Sequence, residues 1–202
     1  MFIYGHRQRS TERAFSLIEV LVVVSIALVL AALAVPLLNA SSKRAQSTKC
    51  ASNLRQLFQG IANYAIDNQN GVPSVEQSDL WHRKIWPYIQ GDSTEALWPS
   101  TGKGAAGIYV CPSDRDSIFA GVSYAINENI FGKKLTANPK VFLLMDFNTY
   151  KVAGTQPNLD ARLKGRHSEK DNFLFQDGHI EARKRSDVPT RDQDPKAWGV
   201  SL

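Results

Sequence analysis

The chain has 202 residues, room for one folded domain of roughly 130 to 150 residues plus a membrane segment, and too few for two large domains. With 43% hydrophobic and 21% charged residues it has the composition of a folded protein, which excludes wholesale disorder. The formal charge of +5 drops to +3 without residues 1–14, which hold Arg7, Arg9 and Arg13 against Glu12, so the charge indicates no specific nucleic-acid partner.

From Phe15 to Val35 the sequence is apolar except at Ser16, Glu19 and Ser25. As a helix it would span about 30 Å, the thickness of a hydrocarbon core. The arginines precede it, so the positive-inside tendency keeps the N-terminus cytoplasmic and sends the rest outward, into an extracytoplasmic and periplasmic setting. Three readings fit: a permanent signal anchor, an ordinary secretory signal cut after Ala32-Leu33-Ala34, and a leader cut before Phe15. The apolar run exceeds the usual signal region of about 7 to 15 residues. Glu19 then discriminates, because a carboxylate inside an apolar span costs roughly 2.5 to 3.5 kcal/mol on insertion scales and such a residue usually has a partner. A cut before Phe15 supplies one, an ammonium group four residues away.

The stretch RAFSLIEVLVVVSI resembles the prepilin N-terminal cleavage and methylation motif. The resemblance implies cleavage by a prepilin peptidase between Ala14 and Phe15, N-methylation of Phe15, an assembly role for Glu19 and a helix kink or melting point at Pro36. The family usually has Gly where this chain has Ala14. The implied organisation is a leader at 1–14, a transmembrane helix at 15–35, its amphipathic continuation at 36–70, a globular domain at 71–184 and a polar tail at 185–202.

After Pro36 the segment Asn39 to Asp67 has no proline and one glycine, with Leu54, Leu57, Phe58, Ile61, Tyr64 and Ala65 at helical spacing. Lys43, Arg44, Lys49 and Arg55 punctuate its polar face as a solvated or lipid-headgroup surface. Asn68-Gln69-Asn70-Gly71 and Pro73 end it. Leu80 to Gln90 predicts a short helix broken near Pro87; its Trp81, Trp86 and Tyr88 read as core packing before they read as a ligand platform. Gly91 to Gly107 reads as a loop. Extended runs follow at Ile108–Cys111, Val122–Ile126, Val141–Met145, Asn172–Gln176 and His179–Ala182. Asp177-Gly178 between the last two is a two-residue hairpin signal. The tail from Arg185 reads as a surface strap or a frayed end. One long helix followed by an antiparallel sheet gives an α+β fold, the pilin architecture.

Cys50 and Cys111 stand outside any CxxC pair, which argues against a zinc ribbon or thioredoxin-type site. One disulfide or two buried thiols remain, and an oxidising compartment favours the bond. CASNLRQLFQGIANYAIDNQNGVP from Cys50, YVCPSD at Tyr109 to Asp114 with SYAIN at Ser123 to Asn127, and RHSEKDNFLFQDGH at Arg166 to His179 together resemble a large bacterial group of prepilin-like proteins. That group carries a C-terminal His-x9-Asp-Gly motif, here His167, Asp177 and Gly178, and some of its members are described as major pseudopilins. His167, Asp171, Asp177 and His179, with Asp146 as a further ligand, have the donor chemistry for a divalent metal. The other reading makes Asp177-Gly178 a turn and His167 a side chain bonded to that hairpin. Ser168, His167 and Asp177 do not make a hydrolase by adjacency, and no phosphate loop is present in the sequence.

The leading expectation is therefore a structural, non-enzymatic subunit of a type II secretion pseudopilus or type IV pilus-like filament. It needs no cofactor, and a divalent metal at the C-terminal motif is optional. Its partners are the peptidase, other pilin or pseudopilin subunits in a homo- or hetero-oligomeric filament, the inner-membrane assembly platform and membrane lipid. The alternative is a membrane-tethered module that binds a polymer or a metal and joins no filament.

Overall fold

The computed structural model describes residues 16–75, 80–90, 107–114 and 122–200. The predicted cut between Ala14 and Phe15 and nearly all of the predicted loop Gly91–Gly107 lie outside them. The chain divides into two compact units between Ser42 and Lys43.

The first helix, α1 (Leu17–Asp67), begins in the N-terminal unit, where every residue from Ser16 to Leu33 is exposed. A helix apolar on all sides and exposed along its length suits a membrane or a helical bundle. It is long and apolar enough to cross a membrane. The helix continues through position 36, where the sequence places a kink or melting point. A proline withdraws a single donor from the ladder, and the turns on either side keep theirs.

In the second unit α1 buries one stripe, Cys50, Leu54, Leu57, Ile61 and Ala65, spaced by three or four residues. Each large aliphatic chain withdrawn from water contributes about 2 kcal/mol. Gly60 lies beside that stripe, and a Cβ there would come within 2.7 Å of two Ile89 side-chain atoms, so its bareness sets how closely α2 (Trp81–Gln90) approaches. The predicted break at Pro87 is absent: α2 runs through it. Burial of Trp81 and Ile85 and a bond from Trp81 Nε1 to the Tyr150 carbonyl outweigh one lost backbone bond. At the end of α1, Gln69 and Asn70 are the left-handed residues, and the Asn70 N–H returns to the Ala65 carbonyl at 2.7 Å.

The sheet contains β1 (Tyr124–Asn127), β2 (Phe142–Asp146), β3 (Lys151–Val152), β4 (Lys170–Phe175) and β5 (Ile180–Lys184), in the order β3-β1-β2-β4-β5. Neighbours are antiparallel except β1 and β3, which pair in parallel, so the sheet is mostly antiparallel as expected. Ile108–Cys111 forms no strand: it is a turn segment, closed by a bond from the Ser123 N–H to the Tyr109 carbonyl.

Alternation within the strands fills two cores. Tyr124, Ile126, Leu144 and Leu174 join the α1 stripe, whereas Ala125, Met145, Phe173 and Phe175 face the other way. A register shift between Phe142 and Leu144 lets Leu143 and Leu144 both enter the α1 side. The second core is closed by α3 (Gln156–Arg162) through Leu159 and by the C-terminal segment through Val188, Ala197 and Trp198. The tail is accordingly neither loose strap nor frayed end. Trp198 is fully buried, donates from Nε1 to the Pro189 carbonyl at 2.9 Å and meets the ring of Phe142 at 5.2 Å.

Candidate functional site

Two places hold the residues singled out from the sequence. At the start of α1 the Ser16 N–H donates to Glu19 Oε2 at 2.9 Å, while the Glu19 N–H donates to the Ser16 carbonyl at 3.0 Å. This reciprocal closure satisfies amide groups that a helix start leaves bare. Glu19 is the only acidic residue from Ser16 to Ser42. Its expected partner, the Phe15 ammonium, is outside the described residues, as is Ala14.

The second place lies where the loop before β4 meets the end of β2. A disulfide joins Cys50 on α1 to Cys111 in the turn segment, with Cα atoms 5.0 Å apart. His167 sits against it: Nε2 lies 3.5 Å from Cys111 Sγ and 3.1 Å from Asp146 Oδ2. Asp146 Oδ2 also accepts from the Asn172 N–H at 2.7 Å. Asp171 takes the Gly165 and Arg166 N–H groups on its two oxygens, at 2.8 and 3.1 Å. Burial pushes the Asp171 carboxyl above its ordinary pKa, and those two N–H groups pull the other way. Arg166 reaches Asp114 at 3.0 Å and the Ser123 carbonyl at 2.8 Å, with both side chains of the ion pair almost wholly buried. Polar groups so far from water need such partners, and here they lash the loop to three other segments.

The remaining candidates are elsewhere. From Asp171 to Asp177 the chain advances about 20 Å at strand rise, so the predicted metal set His167, Asp171, Asp177 and His179 does not converge. Among these four and Asp146, the side-chain donor atoms touch in two separate pairs, Asp146 with His167 and Asp177 with His179. Among the described residues, the group whose donor atoms lie within 4.8 Å of one another is Cys50, Cys111 and His167, and its two sulfurs are bonded to each other. His167 is likewise not bonded to the hairpin, as one reading had it; it serves the opposite end of β4.

The hairpin is tighter in chemistry and longer in count than predicted. Leu174 pairs with Ile180, and the Phe175 N–H bonds the His179 carbonyl, leaving three residues, Gln176 to Gly178, in the loop. The Gly178 N–H closes the turn on the Phe175 carbonyl, and its φ of +89° is one that side-chain-bearing residues rarely adopt. A three-residue loop with glycine in this conformation is the second common hairpin solution. His179 stacks on Phe175 at 4.2 Å between ring centres, so it is a clip on the turn. Sequence reasoning missed the Arg166–Asp114 pair; its only signal was that each residue stands at one end of a quoted motif.

Comparisons with known proteins agree with the N-terminal reading. Residues 9–35 match the prokaryotic N-terminal methylation motif. Over 73 residues the chain is 40% identical to the type II secretion system core protein G of Pectobacterium carotovorum subsp. carotovorum, a match covering 36% of this chain and 44% of that protein. The chain thus spans less than half the length of that relative. No solved structure matches. The chain is prepilin-like, with a long N-terminal helix and a mostly antiparallel sheet.

Proposed function

We propose that this protein is a structural subunit of a pseudopilus or type IV pilus-like filament, matured by a prepilin peptidase at Ala14 and Phe15 and methylated on Phe15. One observation carries the reading: Glu19 stands as the sole acid between Ser16 and Ser42, in the exposed apolar start of α1 that the methylation motif covers. In a bundle of such helices, each new ammonium group needs a carboxylate, since an unpaired charge away from water is strongly unfavourable. Glu19 of the same or a neighbouring subunit supplies it and fixes the axial register that apolar packing alone leaves loose. The arginines before the apolar run support a cytoplasmic N-terminus and an extracytoplasmic domain. The role is assembly, with other subunits and an inner-membrane platform as partners, and no step requires catalysis. The aromatic residues once open to a ligand-platform reading support packing instead, because Trp81 is fully buried and Trp86 stacks on buried Tyr109.

The test is Glu19→Ala expressed as the sole such subunit, with membrane and sheared-filament fractions immunoblotted and the N-terminus read by mass spectrometry. The expected result is normal cleavage before Phe15 with little filament, and partial assembly for Glu19→Asp. Normal filament yield from fully cleaved Glu19→Ala would remove the assembly role, and an uncut wild-type chain would remove the maturation step.

A further inference from the structure

A cavity of about 450 Å³ opens between the Lys43–Ser47 turn of α1 and the loop before β4, entirely within the second unit. Its lining includes Lys43, Arg44 and Arg166 as cations and the hydroxyls of Ser47, Ser113 and Ser168, and no carboxylate residue is among the residues that line it. The charges are not equivalent. Arg166 is neutralised by Asp114 behind it, whereas Lys43 and Arg44 form no ion pair among the described residues. His167 forms part of the wall, and its Nδ1 is buried with no hydrogen-bond partner. The nearest acid in sequence, Glu169, is turned out to solvent, 85% exposed, by two consecutive left-handed residues, Ser168 and Glu169, at φ +56° and +64°. Strained backbone that keeps a hydroxyl on a cavity and an acid off it is the kind retained at binding sites.

From these observations we propose that the cavity binds a phosphate group carried on a small polar body. Two uncompensated cations, one of them a guanidinium, with the Ser47 and Ser168 hydroxyls offer more donors than a carboxylate has oxygens to use and suit the several oxygens of a phosphate ester, while Ser113 donates to Gln46 Oε1 at 3.4 Å. The volume admits a glycerophosphate-sized ligand. Two sources share this chemistry, an anionic phospholipid headgroup and a free phosphate compound. The apolar run ends at Val35, eight residues before Lys43, which keeps both cations within headgroup reach of a membrane that run enters. The lipid source rests on the membrane reading; the anion chemistry does not.

The experiment uses the full chain in detergent. Native mass spectrometry measures retention of phosphatidylglycerol against phosphatidylcholine, and calorimetry measures binding of inorganic phosphate and glycerol 3-phosphate. Lys43→Gln/Arg44→Gln weakens binding about 30-fold, since each cation near an anionic surface is worth about fivefold, and Ser47→Glu abolishes it. Lys49→Gln/Arg55→Gln removes the same charge from exposed positions of the same helix that do not line the cavity, and leaves binding unchanged. Selective retention of phosphatidylglycerol with this pattern assigns the site to lipid. Binding of the soluble phosphates with the same pattern and no lipid preference assigns it to a free phosphate compound. No binding of any probe, or equal weakening by both double variants, overturns the proposal. Carbonate extraction of membranes containing the wild-type chain separates the two readings, because retained membrane association with no binding of any probe faults the site and not the anchor.

Discussion

His167 Nε2 stands 3.1 Å from Asp146 Oδ2 and 3.5 Å from Cys111 Sγ, so one buried ring holds the end of β2 and the turn segment at once. Removing either member strands the other. Asp146→Ala should destabilise the domain by about 3 to 5 kcal/mol, because it also takes the acceptor from the Asn172 N–H. His167→Ala should cost about 3 kcal/mol, and Asp146→Asn less than Asp146→Ala. Urea denaturation followed by circular dichroism checks all three. Gly178→Val should cost about as much as His167→Ala. A side chain at Gly178 meets a φ of +89° and the Phe58 ring, 2.7 Å from an added Cβ.

The Cys50–Cys111 bond closes a span of 61 residues between α1 and the turn segment. In the chain-entropy picture such a loop is worth about 4 kcal/mol. Cys50→Ala/Cys111→Ala should lower the urea midpoint accordingly, and reductant should shift the midpoint of the wild type but not of the variant. Non-reducing mass spectrometry that finds both thiols free to alkylate would contradict the bond.

His82 is fully buried, edge-on to Trp81 with ring centres 5.5 Å apart. Burial, helped by the charge of neighbouring Arg83, pulls its pKa from 6.5 to about 3. The unfolded chain therefore binds a proton that the folded chain refuses between pH 6.5 and about pH 3. Stability is complete above pH 6.5 and falls through that window as the pH drops. From pH 7 to pH 5 the loss from this group should be about 2 kcal/mol. Urea midpoints at the two pH values measure it, and His82→Phe should flatten the difference whatever it does to stability at pH 7.

Trp198 plugs the second core from the far end of the chain. Trp198→Ala should destabilise by about 3 to 5 kcal/mol and should loosen the tail, read as faster hydrogen exchange from Val188 to Val200. Unchanged exchange there would mean the tail is held without its indole.

The long helix, α2, four of the five strands and the Asp-Gly turn were legible because each carries a periodic apolar pattern or a turn signal. The three-residue segment β4–β5 loop was misjudged by one residue, since Asp177-Gly178 fits two hairpin geometries and only the pairing of Leu174 with Ile180 separates them. The strand β3, two residues long, and α3, whose one buried side chain is Leu159, have too little pattern to see. The tail was misread for the same reason. Its apolar residues are sparse, yet FLLMDF and NFLF are apolar at nearly every position, which signals strands covered on both faces. Some segment had to provide the second cover. The polar cluster around His167 was harder, because Asp114, Asp146 and Arg166 come from three segments that only the folded sheet brings together.

The two outer strands make poor templates for another sheet. On one side β3 offers two residues, one of them Lys151 held by Glu128 at 2.9 Å; on the other β5 reads Ile180-Glu181-Ala182-Arg183-Lys184, charged at three of five positions. Short or charged outer strands resist pairing with a neighbouring chain. Under the proposed filament role, where subunits would meet at high local concentration, this matters more than it does for a dilute soluble protein. In that proposed setting, contact between subunits would be left to the helices, away from the zippered sheet pairing that sets as amyloid.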